Sequence, residues 1–261
     1  LLMFLLILQN VFDQMQYVEQ CFLEEHRRGR RLSNLYESVQ QASEIIPRLY
    51  LTITAGSVYI KSLEVKPREI INELLGMIKG VQNPLRGLFT RYFLLKMIKD
   101  KIPDIGNEYL GEGGSFEDTL KFILQNLEEM NRLWIRLSTG CSGSEKAMKE
   151  KERNELKVLV GENIIRLSSL NGLTLEIYKN EVLPKILNIL LESKDGLSQF
   201  YLMECIIFAT SSMSHFTFYF LYNLLCERED TLVPSLFDFA RKWTKNASTA
   251  RLIVLADENG G

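Results

Sequence analysis

The side chains that most often ligate metals or act as nucleophile and base are scarce in this chain: two histidines (His26, His215) and four cysteines (Cys21, Cys141, Cys205, Cys226). The cysteines are scattered with no C-x-x-C spacing, so neither a zinc site nor a disulfide framework is indicated, and a reducing, cytosolic setting fits best. His215 lies among aromatics in "SHFTFYFLY", with no serine, cysteine or carboxylate at a spacing that suggests a triad, and reads as a packing residue. Gly111, Gly113 and Gly114 precede a helix and could turn backbone N–H groups toward a phosphate. No strand comes before them and no G-K-[ST] follows, so they read as a simple loop. "RRGRR" (Arg27 to Arg31) could touch acidic lipid or nucleic acid, but Gly29 after a helix also reads as a C-cap with cations near the helix's negative end. "EKAMKEKERNE" is a mixed-sign run expected to form a solvated helix face, and the sequon "NAS" at Asn246 means little in a cytosolic chain. Catalysis finds no foothold in these residues, and neither a cofactor nor a metal is expected. What remains is the stretch "IIPRLYLTI", Ile45 to Ile53, in which Arg48 follows a proline inside an otherwise apolar helical pattern.

The elements that would position Arg48 are helical throughout. The chain has 261 residues, 46% hydrophobic and 25% charged with a formal net charge of −2, enough to bury a sizeable core and with no bias toward nucleic acid. Phe116, Leu120, Ile123, Leu127, Met130, Trp134 and Leu137 alternate by four and three and so share one helix face. Ser115 with Asp118 forms a capping box at its start. A helix beginning near Ser144, with Glu145 and Lys149 at i,i+4, turns Leu156, Val160, Ile164 and Leu167 inward. Others start near Pro67, Pro84 and Thr174, and Pro184 kinks or restarts the last of these. The opening "LLMFLLIL" is too short to span a bilayer, which takes roughly 20 apolar residues, and is expected to be a buried helix. The absence of methionine at position 1 suggests a fragment. No run alternates with period two.

These features predict an all-α protein. Helix pairs with their short turns occupy about 40 residues, near the period of HEAT-type repeats, which points to an α-solenoid of antiparallel pairs rather than a compact bundle. In the helix that contains "IIPRLYLTI", Leu49, Ile53, Gly56, Ile60 and Leu63 make one stripe, and Leu51, Ala55 and Val58 make another. A helix apolar on two sides belongs between neighbours. Pro47 at its first turn costs little, since that N–H would be unbonded, and Arg48 and Tyr50 fall near the start, within reach of solvent or a partner.

"PRLYL" (Pro47 to Leu51) followed by "GSVYIKS" (Gly56 to Ser62) resembles the signature of the large retromer scaffold subunit family, vacuolar protein sorting-associated protein thirty-five. "LYESVQQASEIIPRLYL", "GVQNPLRGLFTRYFL", "KIPDIGNEY", "ILQNLEEMNRLWIRL", "ERNELKVLVGENIIRLS" and "YLMECII" agree with it in order, over about Asp13 to Ile207, with wording closest to the plant-type members. The resemblance implies a non-enzymatic scaffold of HEAT-like repeats for endosome-to-Golgi transport, whose amino-terminal part binds the arrestin-like subunit, vacuolar protein sorting protein twenty-six. By position, the partner-binding residues it implies are Pro47, Arg48, Leu49, Tyr50 and Leu51. Pro47 would fix the helix start, Leu49 and Leu51 would hold the stack, and Arg48 and Tyr50 would make direct contacts. It further implies association with a late-endosomal Rab-type GTPase, sorting nexins and cargo tails, and a cytoplasmic protein held peripherally on the endosomal or prevacuolar membrane. The family's distant carboxy-terminal part wraps the phosphoesterase-fold subunit, so binding of that subunit by this chain alone is not expected. "NPLRGLF" (Asn83 to Phe89) is a second family block, read as repeat packing, with Pro84 at a helix start, Gly87 allowing close helix approach and Arg86 given little weight as a contact. Residues 1–207 thus read as a scaffold-like solenoid and 208–261 as a divergent tail. A helical-repeat adaptor that no longer assembles into retromer is the competing expectation.

Overall fold

A computed structural model of the chain describes residues 2–111, 114–140 and 142–211; His215, Cys226, Asn246, Cys141, Gly113 and nearly all of the tail lie outside them. The chain divides into two compact units, Leu1–Thr174 and Leu175–Gly261. The boundary falls where the sequence offers no linker.

The first unit holds α1 (Leu2–Arg27), α2 (Leu32–Val39), α3 (Ile45–Lys61), α4 (Pro67–Lys79), α5 (Pro84–Met97), α6 (Phe116–Arg136) and α7 (Gly143–Ser168). Consecutive helices pack against each other along the chain. The odd-numbered ones also pack on their next odd neighbour, α1 on α3, α3 on α5 and α5 on α7. That pattern is a two-layered stack of helix pairs, the all-α solenoid expected from the helical period. In the second unit, α8 (Leu175–Ile177) runs through a single π turn (Tyr178–Val182) into α9 (Leu183–Ser193), followed by α10 (Gly196–Ser211). The π turn ends at Val182, two residues before Pro184, whose missing N–H cannot continue the α ladder, so the restart takes this form.

Local chemistry sets the helix ends. Ser115 Oγ accepts from the Asp118 N–H at 3.2 Å and Asp118 Oδ2 accepts from the Ser115 N–H at 3.0 Å, a reciprocal capping box. Gly29 at φ +93° donates to the His26 carbonyl and Arg30 to the Glu25 carbonyl, the two bonds of a Schellman cap. Arg28 and Arg30 both pair with Glu25, so two of the cluster's four arginines are spent on closing α1. Gly111 and Gly114 bond to each other, N–H to carbonyl in both directions, which takes their amides out of play for an anion.

Some expectations change. The opening apolar stretch is helical, but Leu6 and Ile7 are 54% and 50% exposed because α1 lays only one face on its neighbours. Leu63 is not part of the α3 stripe: the helix ends at Lys61, and Leu63 sits at φ +61° and exposed where the chain turns toward Pro67. Most of the mixed-sign run is solvated, yet Arg153 within it is buried. Its guanidinium lies 5.1 Å from the Trp134 ring centre and bonds Ser138 and Glu150, while its carbonyl accepts from Trp134 Nε1 at 2.8 Å. The connection between α5 and α6 is long rather than short. Asp104 holds it by accepting from the N–H groups of Ile105, Asn171 and Gly172, and Asn107 by accepting from Asp104 and Tyr109 and donating to Ile102.

Glycines mark where helices approach closely. A Cβ at Gly56 would stand 2.9 Å from Ile70 Cγ2 and 3.3 Å from Tyr36 Cε2, whereas one at exposed Gly76 in α4 would meet nothing within 4 Å. Gly56→Val is expected to lower unfolding free energy by about 1–3 kcal/mol through overpacking, and Gly76→Ala to raise it by up to about 1 kcal/mol through helix propensity. Urea denaturation followed by circular dichroism measures both.

Candidate docking site at the start of the third helix

The site is built on α3, a closely enclosed helix of the first unit. Every residue from Thr52 to Val58 is buried, and α1, α2, α4 and α5 all pack on this helix. Its composition makes that possible. Thr52 and Thr54 donate their hydroxyls to the carbonyls of Arg48 and Tyr50 at 2.8 and 2.9 Å, one helical turn back. Buried hydroxyls are thereby satisfied within the helix itself. Ser57 accepts from Lys101 Nζ at 2.6 Å, and the same ammonium donates to Glu19 Oε1 at 2.9 Å and to the Met97 carbonyl at 3.1 Å. All three of the lysine's donors are used, which ties α1, α3 and the end of α5 together around a buried ion pair.

The ends of α3 escape this enclosure, at Lys61 and more widely in the first turn. Ile45 is 59% exposed and Pro47 is exposed. The helix starts at Ile45 with Glu44 as N-cap, so Pro47 is the third helical residue, where its lack of an N–H removes no intrahelical bond. Arg48 is half-buried and its Nη1 donates to the Ala42 carbonyl at 3.2 Å, pinning the α2–α3 connection against the helix start. Leu49 is buried and Leu51 half-buried. Tyr50 is more committed than its position suggests. Its ring lies 4.7 Å from the Phe93 ring of α5, and burial pushes its phenol above the ordinary tyrosine value, opposed by a hydrogen bond with Thr90. The five residues of "PRLYL" therefore share one turn but not one role: Pro47 and part of Arg48 face outward, while Leu49 and much of Tyr50 face the stack.

An open depression lies in front of this turn, lined by Ser43, Glu44, Ile45, Ile46, Pro47 and, from α5, Arg86. Arg86, given little weight in the sequence, is brought to the same surface as the motif. The signal was the position of each segment at a helix start, with Pro84 first in α5 and Asn83 capping it through the Arg86 N–H at 3.0 Å. Among the described residues there is no group of three or more His, Cys, Asp or Glu side chains that could hold a metal, and no helix long and apolar enough to cross a membrane.

Tyr50→Ala is expected to cost about 2 kcal/mol of stability by removing the Phe93 contact, and Arg48→Glu only about 1 kcal/mol, the loss of one part-buried hydrogen bond. Chemical denaturation of the two variants side by side checks the order.

Comparison with known proteins bears on which molecule would use such a surface. The family model described as vacuolar protein sorting-associated protein 35 (Vps35) matches residues 6–226, continuing past residue 207. Vacuolar protein sorting-associated protein 35A of Arabidopsis thaliana is 46% identical over 198 residues, 76% of this chain and 25% of the relative. The Dictyostelium discoideum protein 35 is 42% identical over 196 residues (75% and 25%), and that of Schizosaccharomyces pombe 45% over 197 residues (74% and 23%). The chain thus spans about a quarter of the length of the curated relatives it matches. A family match over most of its residues, joined to the stacked helix pairs and the enclosed helix that carries "PRLYL", shows that the chain belongs to the Vps35 family.

Proposed function

We propose that this chain acts as a non-enzymatic scaffold segment of a retromer cargo-sorting assembly in endosome-to-Golgi transport, and that it docks the arrestin-like subunit through Pro47, Arg48, Leu49, Tyr50 and Leu51. The observation that carries the reading is the enclosure of α3: a helix packed by four neighbours leaves only its ends accessible, and the first turn is the end that carries the motif and its apolar surface. An arginine there, half-exposed beside an exposed proline and isoleucine, combines a guanidinium with apolar surface, the mixture that recurs at interface hot spots. Within the motif, Arg48 and Pro47 make the direct contacts. Leu49 and Tyr50 act by holding the turn in place, since their side chains are engaged with the stack.

Assembly would place the chain peripherally on endosomal membrane through its partners, with a Rab-type GTPase, sorting nexins and cargo tails meeting the same end of the scaffold. Membership of the Vps35 family supports this reading.

The test is a pull-down of the arrestin-like subunit by the chain. Arg48→Glu is expected to abolish capture while leaving the helical circular dichroism unchanged, and undiminished capture by the folded variant removes Arg48 from the site.

A further inference from the structure

Two segments that the sequence singled out separately, "IIPRLYLTI" and "NPLRGLF", meet at one open depression, whose walls are the first turn of α3 and the first turn of α5. Resting on the reading of "PRLYL" as the docking element, we propose that Arg86 and Ile45 form a second half of that docking surface, which receives a partner segment bearing a carboxylate beside an apolar side chain.

The chemistry of the depression selects that occupant. Arg86 has its backbone fixed, with its N–H given to Asn83 Oδ1 at 3.0 Å and its carbonyl accepting the Thr90 hydroxyl at 2.8 Å. Its guanidinium projects from an exposed position and makes no hydrogen bond or ion pair among the described residues. Arg28 and Arg30 pair with Glu25, Arg68 with Asp118, and Arg132 with Glu128 and Glu129, whereas exposed Arg27, Arg31 and Arg136 share with Arg86 the lack of an ion pair among the described residues but do not line the depression. An unpaired guanidinium on a fixed backbone suits bidentate capture of a carboxylate. The field adds to this: Arg48 stands behind the same wall, and the two helices present their positive ends, against the single negative charge of Glu44. Alongside, Ile45 at 59% exposure, Ile46 and Pro47 form an apolar wall that gains by covering. An acidic residue next to an aliphatic or aromatic one satisfies both walls at once.

Titration calorimetry of the chain with the arrestin-like subunit, at low and high salt, tests the inference. Arg86→Glu and Ile45→Ala are each expected to weaken binding about tenfold, with unaltered circular dichroism, and the Arg86→Glu loss is expected to shrink at high salt as its ionic contribution is screened. If both variants bind like the wild type while Arg48→Glu does not bind, the second half of the surface is overturned and the motif reading stands. If Arg48→Glu also binds like the wild type, or the wild type does not bind, both are overturned. An Arg86→Glu loss that is the same at both salt concentrations overturns the carboxylate assignment.

Discussion

The first unit depends on the burial of α3 on all sides. A helix surrounded by four others must present no unsatisfied polar group and must be narrow where neighbours cross. Hydroxyls at Thr52 and Thr54 turn back onto their own backbone, Ser57 receives the Lys101 ammonium, and Gly56 admits Ile70 and Tyr36 to contact distance. The ion pair between Lys101 and Glu19 adds little net energy by itself, since burying both charges costs much of what their attraction returns. Its effect is to fix one arrangement of α1, α3 and α5. A second polar chain does the same further along: Arg91 Nη1 bonds Asn126 Oδ1 at 3.4 Å, and Asn126 bonds Asn163 at 2.9 Å, across α5, α6 and α7. Both networks set the register of the stack, a role to which directional bonds are better suited than apolar packing.

Function follows from what this packing leaves uncovered. Because the body of α3 is committed to the core, its identity is constrained by neighbours, and its first turn is the larger part left open to another molecule. In the proposed docking role, the enclosed body of α3 would give the first turn a rigid mount without a dedicated framework. The same logic applies to α5, where Leu88, Phe93, Leu94 and Leu95 are buried while Arg86 in the first turn is exposed.

Much of this was legible in the sequence where the determinants are local. The two stripes of α3, the capping box at Ser115, the glycine close at Gly29 and the restart at Pro184 each depend on residues a few positions apart, and the helical period exposes them. What escaped depends on distant partners. Arg153 looks like one more charge in a solvated run until Trp134 of the preceding helix covers it, and Tyr50 looks free until Phe93 of α5 meets its ring. The ends of stripes also mislead. Leu63 continues the spacing of α3 numerically, but the helix has already closed at Lys61. Apolar residues near the start of α1 followed a helical rule correctly while their burial did not follow, because burial is decided by how many neighbours a helix has. Within the proposed docking motif, periodicity assigned Pro47 and Leu49 to structural roles, but the family resemblance was needed to suggest a partner for Arg48, and the position of Arg86 at the same depression required the fold.

Amide hydrogen exchange on the chain, with and without the arrestin-like subunit, tests the central claim that α3 is a buried beam with a docking tip. The account predicts that the amides of residues 52–60 are already among the slowest in the free chain and change little, whereas those from 43 to 50 become protected on binding. Protection confined to other helices, with residues 43–50 exchanging as in the free chain, would contradict it.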